Sequence, residues 1–248
     1  MALMIPSNNN PTILWGDPEH AGIRLLLMPL LITGFLVGYS LLRVVLAWII
    51  PGSEFLTAIA CAGGLPLGLG LAYVGENLLK RFWRSGRAVV IENAGISLQH
   101  HNQTVRRFQP QANLNLVKWA FPLSVYPRGG RERRAPRQWW CLACQLRQEE
   151  ARLVAHTFLP PKEANNLIQT YGFHTIDPTD VYDTSLSGRL TQPATRPAIP
   201  AAVLAGKEGA YWAAERQRWQ EGVELTAADF TVLLAHVHQM TSGERRAS

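Results

Sequence analysis

Cys141 and Cys144 stand in a C-x-x-C spacing, the residues here whose types come nearest to metal or redox chemistry. A tetrahedral zinc site needs four ligands, and neither a second cysteine pair nor a spaced histidine pair accompanies them. The surrounding pattern reads as a strand, on which residues three apart point to opposite faces, so the pair does not converge on one ion. A thioredoxin-type pair opens a helix, which this segment does not. Two small core thiols are expected. His100, His101, His156 and His174 read as ordinary strand or loop histidines, while His236 and His238, two apart on a helix, face different ways. Asp177, Asp180 and Asp183 lack the spacing and the closing Glu of a calcium loop. Glu149 and Glu150 are adjacent turn residues rather than a positioned acid–base pair. No P-loop spacing occurs, and Gly68-Leu69-Gly70 falls inside an apolar run. No catalytic residue, cofactor site or metal site is assigned, and a non-enzymatic protein is expected.

Arginine offers the other chemistry. Arg128, Arg131, Arg133, Arg134 and Arg137 crowd a loop-like run with Gly129, Gly130, Pro136 and a single acid, Glu132. Beside an anionic leaflet such a loop gains about 1 kcal/mol per cation near the headgroups, decaying within a Debye length. A solvated charged loop and an acidic partner protein are the competing readings. Nucleic acid is disfavoured, because no aromatic residues interleave these arginines. Lys80, Arg81 and Arg84 form a second cationic group. Arg43 stands alone in an apolar run, about 10 Å of helix before Ile50, close enough to snorkel outward and meet Glu54; an ion path or an intersubunit pair is the alternative. Glu76 is similarly placed to meet Arg24.

The elements that must carry these residues follow from how charge is distributed. The 248 residues have a net charge of +6, divided as −2 over residues 1–79, +10 over 80–172 and −2 over 173–248. That division excludes an evenly mixed soluble globule and a disordered chain. Three cysteines, one of them (Cys61) in an apolar run, do not make a disulfide framework, which favours a reducing compartment for the polar part. Leu25–Ile50 and Phe55–Leu79 are each long enough to cross about 30 Å of hydrocarbon as a helix. The first is too long for a signal peptide, and no Lys or Arg precedes Arg24. Only Pro51-Gly52-Ser53-Glu54 joins the two, so they form an antiparallel hairpin.

Lys80, Arg81, Arg84 and Arg87 follow the second helix at once, whereas the tight connecting loop has no cation. This asymmetry places both termini in the cytoplasm and predicts a multi-pass inner-membrane protein, with Phe82, Trp83 and Trp48 at the interfaces. Gly34 and Gly38 on one helix, and Gly64 and Gly68 (with Gly63 and Gly70) on the other, allow close backbone approach. They serve either to pack the hairpin on itself or to join another membrane subunit or a second copy. Pro29 and Pro66 are expected to kink the helices.

From Ala88 the texture changes to short alternating runs, the period of antiparallel strands. Strands are expected at Ala88–Glu92, Ile96–His101, Thr104–Gln109, Asn115–Ala120, Leu123–Tyr126, Gln138–Leu146 and Arg152–Phe158, with turns at 93–95 and 101–103. Pro160-Pro161 opens an amphipathic helix that Gly172 stops. The order of VVIENAGISLQ, NLVKWAF, WWCLACQLRQEEARLVAHTF and LPPKEANNLIQTYGF resembles the bacterial pleckstrin-homology-like domains that follow a two-helix membrane hairpin. The resemblance spans about residues 25–172 and rests on element order and hydrophobic spacing. It implies a membrane-tethered binding module built as an antiparallel β-barrel or bent sheet capped by a helix, and it implies no catalytic residues.

Residues 173–206 have a proline-rich linker composition. Two helices follow, over Lys207–Gln220 and Thr226–Met240, whose apolar faces include Trp212 and Trp219, then Phe230, Leu233, Leu234 and Val237. This stripe docks either on the chain's own domain or on a partner. The organisation expected is thus an N-terminal segment at 1–24, a transmembrane hairpin at 25–79, an α+β domain at 80–172, a linker at 173–206 and a helical segment at 207–248. The expected partners are anionic inner-leaflet lipids, other membrane or cytoplasmic subunits, and a second copy. The function read from these features is an accessory or scaffolding subunit of an envelope assembly such as a secretion or conjugation apparatus. A membrane-tethered sensor of anionic headgroups is the alternative, and a transport-associated subunit using Arg43 a remote one.

Overall fold

The computed structural model describes residues 11–18, 21–109, 114–124, 126, 135–182 and 198–247. The chain divides into two units, Glu19–Arg84 and the remainder, the latter made of Met1–Pro18 with Ser85–Ser248. The architecture is a helical hairpin plus an α+β unit.

In the first unit α1 (Ala21–Ile49) and α2 (Leu56–Phe82) run antiparallel, each with one internal proline, Pro29 and Pro66. Their spans Leu25–Ile49 and Leu56–Phe82, of 25 and 27 residues, are long and apolar enough to cross a membrane. A turn through Gly52, at φ +79°, joins them, a conformation that glycine adopts without the steric penalty a Cβ would impose.

In the second unit β1 (Thr12–Trp15), β2 (Arg87–Glu92), β3 (Gly95–His100) and β4 (Gln103–Phe108) form an antiparallel sheet in sequence order. The β3–β4 turn has His101 and Asn102 both at positive φ, the backbone twist that a two-residue hairpin requires. A second sheet contains β5 (Asn115–Pro122), β6 (Trp140–Gln148) and β7 (Ala151–Leu159). Its edges are extended by β8 (His174–Thr175) and β9 (Val223–Glu224), in the order β8-β5-β6-β7-β9. Helix α3 (Pro161–Tyr171) begins on proline and ends at Gly172 in the left-handed region, as its sequence anticipates.

Three expectations need correction. Leu123–Tyr126 is not a strand. Leu123 and Tyr126 are buried in one cluster, a placement that residues three apart on a strand cannot share, and a turn bond from Tyr126 N–H to Leu123 O replaces the ladder. The N-terminal segment does not stand apart, because Thr12–Trp15 pairs with Ala88–Ile91. Of the expected linker 173–206, residues 183–197 lie outside the described residues, and its two described ends belong to the folded unit. Phe173, Ile176 and Tyr182 are buried, and α4 (Ala201–Ala205), α5 (Gly209–Glu221) and α6 (Ala227–Ala247) belong to the same unit as the sheets.

Two cores flank the five-stranded sheet. Val89, Ile96 and Phe108 of the first sheet meet Leu142 and Leu146 of the second, under Phe230, Leu233, Leu234 and Val237 of α6. On its opposite face Trp119, Phe121, Ala143 and Phe158 pack with Ile176, Tyr182 and Trp212. Burial on both faces suits the five apolar residues Trp140–Cys144 that open β6. Each large apolar side chain buried this way contributes roughly 1.5–3 kcal/mol.

Candidate functional site

The hairpin owes its close packing to the four glycines singled out in the sequence. A Cβ on Gly68 would lie 2.8 Å from Phe35 N, and one on Gly38 would lie 3.1 Å from Gly64 O. Gly34 faces Gly68 and Gly64 faces Tyr39 in the same manner. Between the two alternatives, these residues pack the hairpin on itself. Gly70 has open space where a Cβ would be. Large apolar side chains point outward along both helices, among them Leu25, Val44 and Leu78, with Trp48 91% exposed at the turn end and Phe82 76% exposed at the other.

Charges on the hairpin are few. Arg43 is exposed on α1, and neither it nor Glu54 has an ion-pair partner among the described residues. Glu76 pairs with Lys80 one helical turn on, at 2.7 Å, and the side chain of Arg24, its expected partner, lies outside those described. Arg81 lies over the Phe82 ring at 5.8 Å, and Arg81 and Arg84 are exposed where α2 ends. The α2 carboxyl terminus carries Lys80 and Arg81 in its last turn, where cations complement the helix dipole. Of the basic loop, Arg137 is exposed, while Arg128, Arg131, Arg133 and Arg134 lie outside the described residues.

Within the α+β unit, the residues that flank the hairpin in the chain are held by a polar clasp that sequence reasoning missed. Gly16 N–H donates to Arg87 O at 2.9 Å, and Ser85 Oγ donates to Gly16 O at 2.7 Å, so the chain segments before α1 and after α2 are bonded side by side. Asp17 N–H donates to Glu224 O at 2.7 Å, and its carboxylate accepts from Glu224 N–H at 3.0 Å and from Arg87 Nη1 at 3.1 Å. The Arg87 guanidinium also donates to the carbonyls of Glu221 and Gly222, at 2.5 and 3.1 Å. Those carbonyls belong to the end of α5, where intrahelical partners run out. Arg106 adds a bond to the Glu221 carboxylate at 2.9 Å and another to Arg152 O. The only local sequence signal was the cation just past the second apolar run, which served the orientation argument.

Of the two alternatives for the apolar stripe of the C-terminal helices, docking on the chain's own unit is the one seen. Trp212, Phe230, Leu233, Leu234 and Val237 are at most 2% exposed, spent on the two cores of their own unit, and Trp219 is half-buried. Burying them against the sheets removes their apolar area from water without a second chain. Beside Trp212 and Ala214, helix α5 also buries a charged pair against the sheet. Glu215, 1% exposed, accepts two bonds from Arg218, Nε at 2.7 Å and Nη2 at 2.8 Å, with Trp119 Nε1 at 2.9 Å and the Tyr126 hydroxyl completing its set. Arg218 lies over the Phe121 ring at 5.6 Å. Every carboxylate oxygen is thus paired, the condition under which a buried charge is tolerated. An Ala-Ala-Glu-Arg helical pattern carries no sign that its Glu turns inward.

Cys141 and Cys144 lie in different cores, on opposite faces of β6, as their spacing on a strand requires. Burial pushes the Cys144 thiol up to about 12, against smaller opposing effects of the Ala155 backbone and Lys118. Lys118, whose own ionisation burial lowers, donates to Tyr171 O at the end of α3. Asp177 caps a short helical turn through Thr179 N–H and hydroxyl, the role of a solvated turn residue. His174 stacks on Tyr211 with centroids 4.1 Å apart and meets Glu208 at 2.9 Å. Among the described residues, no three of His, Cys, Asp or Glu stand together as metal ligands.

Compared with family models, curated proteins and solved structures, the chain matches none.

Proposed function

We propose that this chain is a non-enzymatic inner-membrane protein, an accessory or scaffolding subunit of a larger envelope assembly such as a secretion or conjugation apparatus. The observation that carries the reading is that two membrane-length helices leave and re-enter the α+β unit between paired strands β1 and β2. Such a hairpin is an anchor rooted at both ends, and roots held side by side favour an unpaired domain on one face of the bilayer. The cations Lys80, Arg81 and Arg84 beside the roots, against a connecting loop with none, favour the cytoplasmic face for that domain. Two sheets followed by α3 are consistent with a pleckstrin-homology-like module, and the resemblance in element order supports that assignment.

Extraction in mild detergent tests the assembly reading. Co-migration with other envelope proteins at a size well above one chain is the expected result, and a lone monodisperse chain contradicts it. The net charge of +10 over residues 80–172 supports a second reading, in which the domain senses anionic headgroups. Under that reading the reconstituted chain protects anionic but not zwitterionic lipid headgroups, and the protection falls with added salt. Equal behaviour in both lipids contradicts it.

A further inference from the structure

We propose that the strap Glu221–Leu225, which links α5 to α6, couples the roots of the hairpin to the C-terminal helix. The inference rests on the membrane reading of the hairpin. Both roots converge on this strap. Asp17 holds Glu224 at two points, accepting from its N–H and donating to its carbonyl, and Arg87 holds the carbonyls of Glu221 and Gly222. The two root residues are themselves joined through the Asp17–Arg87 ion pair, which is only partly exposed. Asp17 sits at φ +51°, a region that Asp enters more readily than most residues with a Cβ, and these contacts hold it there.

The strap is also tied to the sheets, through the Arg106–Glu221 ion pair and the buried Val223 and Leu225. Its two-residue strand β9 pairs with Ala155 and His156 of β7, and Leu225 N–H donates to His156 O at 2.8 Å. Val223 fits against Gly16, where a Cβ would come within 2.3 Å of its side chain. Immediately beyond, Thr226 Oγ1 accepts from Asp229 N–H at 3.2 Å and starts α6. Hydrogen bonds weaken steeply with distance and angle, so a shift of one root relative to the other loosens several strap bonds at once. The loosened strap then releases the first turn of α6, which lies one residue further on. A chain of bonded groups with discrete made and broken arrangements is the physical form such coupling takes.

The test uses the full chain in nanodiscs of short-chain or long-chain phosphatidylcholine, because bilayer thickness changes the tilt of spanning helices. Amide exchange is read over Val223–Phe230 and, as a control, over Leu142–Leu146. The wild-type strap should exchange at rates about threefold or more apart in the two bilayers, with the control unchanged. In Arg87→Met the strap should exchange about tenfold faster in both bilayers and lose its dependence on thickness. Equal wild-type strap exchange in thin and thick bilayers overturns the coupling. A folded Arg87→Met chain that keeps the dependence overturns it as well. If Arg87→Met does not fold, the wild-type comparison decides. Failure of the chain to enter nanodiscs is a distinct outcome, which overturns the membrane reading on which the coupling stands.

Discussion

Ala88 stands directly opposite Trp15 in the β1–β2 ladder, although the whole of α1 and α2 lies between them in the chain. The hairpin is therefore an insertion into a pair of neighbouring strands, and the ladder from Thr12↔Ile91 to Trp15↔Ala88 supplies the α+β unit with its own closure.

It follows that joining Pro18 to Ser85 through a short Gly-Ser turn, without the helices, should leave a soluble unit that unfolds cooperatively with its β-rich circular dichroism intact. Each core residue of that unit comes from outside the deleted span. Aggregation or a broad, non-cooperative transition would show that the helices complete the core.

In the hairpin, Gly68→Ile should cost about 1–3 kcal/mol of helix–helix stability, since the new side chain meets the Phe35 backbone and not a flexible side chain. Gly70→Ile, where nothing lies within 4 Å, should change stability by less than about 0.5 kcal/mol. Thermal unfolding in detergent compares the two, and equal losses would refute the packing described.

Removing Glu215 takes from the buried Arg218 the carboxylate that accepts from its Nε and Nη2. Glu215→Ala should destabilise the α+β unit by about 3–5 kcal/mol, and Trp119→Phe, which withdraws one donor, by about 1–3 kcal/mol. Replacing Glu215 and Arg218 together by leucine and methionine should cost less than Glu215→Ala alone. Denaturant midpoints of the helix-deleted unit report all three.

His236 on α6 has its Nε2 enclosed without a hydrogen-bond partner, and burial lowers its pKa below the ordinary 6.5. As pH falls, the unfolded chain takes up this proton before the folded one does. Stability from the neutral imidazole is therefore complete above about 6.5 and declines as pH drops toward the folded value. Urea midpoints at neutral and mildly acidic pH should show that decline, and His236→Phe should reduce it. An identical decline in the variant would remove His236 as its source.

How much of this was readable beforehand depends on the kind of signal. The apolar runs, the glycines and the Pro-Pro start and Gly172 stop of α3 act locally, and each is visible in a few adjacent residues. Six of the seven expected strands occur with shifted ends, because alternation marks a strand but not its last ladder bond. What stayed hidden is non-local. Thr12–Trp15 is only four residues long and becomes a strand because β2 offers it an edge. Glu215 and Arg218 look like a solvent-facing i,i+3 pair until Trp119 and Tyr126, about ninety residues away in sequence, are placed beside them. Asp17 and Arg87 flank the hairpin in plain view, but their bond to the strap depends on where the tail returns.

The two cysteines of β6 should be inert. With Cys144 held near 12 and Cys141 buried in the opposite core, an aqueous maleimide should modify neither in the folded chain, and mild oxidants should not join them. Both should react once denaturant is added, and rapid native labelling of either would contradict the placement.

The central claim, that α1 and α2 cross the bilayer with the α+β unit on the cytoplasmic side, is tested most directly by site-specific labelling in intact spheroplasts. Ser53→Cys and Arg137→Cys are made separately in a Cys61→Ala background and exposed to a membrane-impermeant maleimide. The account predicts that Ser53→Cys reacts from outside and that Arg137→Cys reacts only after the membrane is permeabilised. Protection of Ser53→Cys in intact spheroplasts, or reaction of Arg137→Cys before permeabilisation, would contradict it.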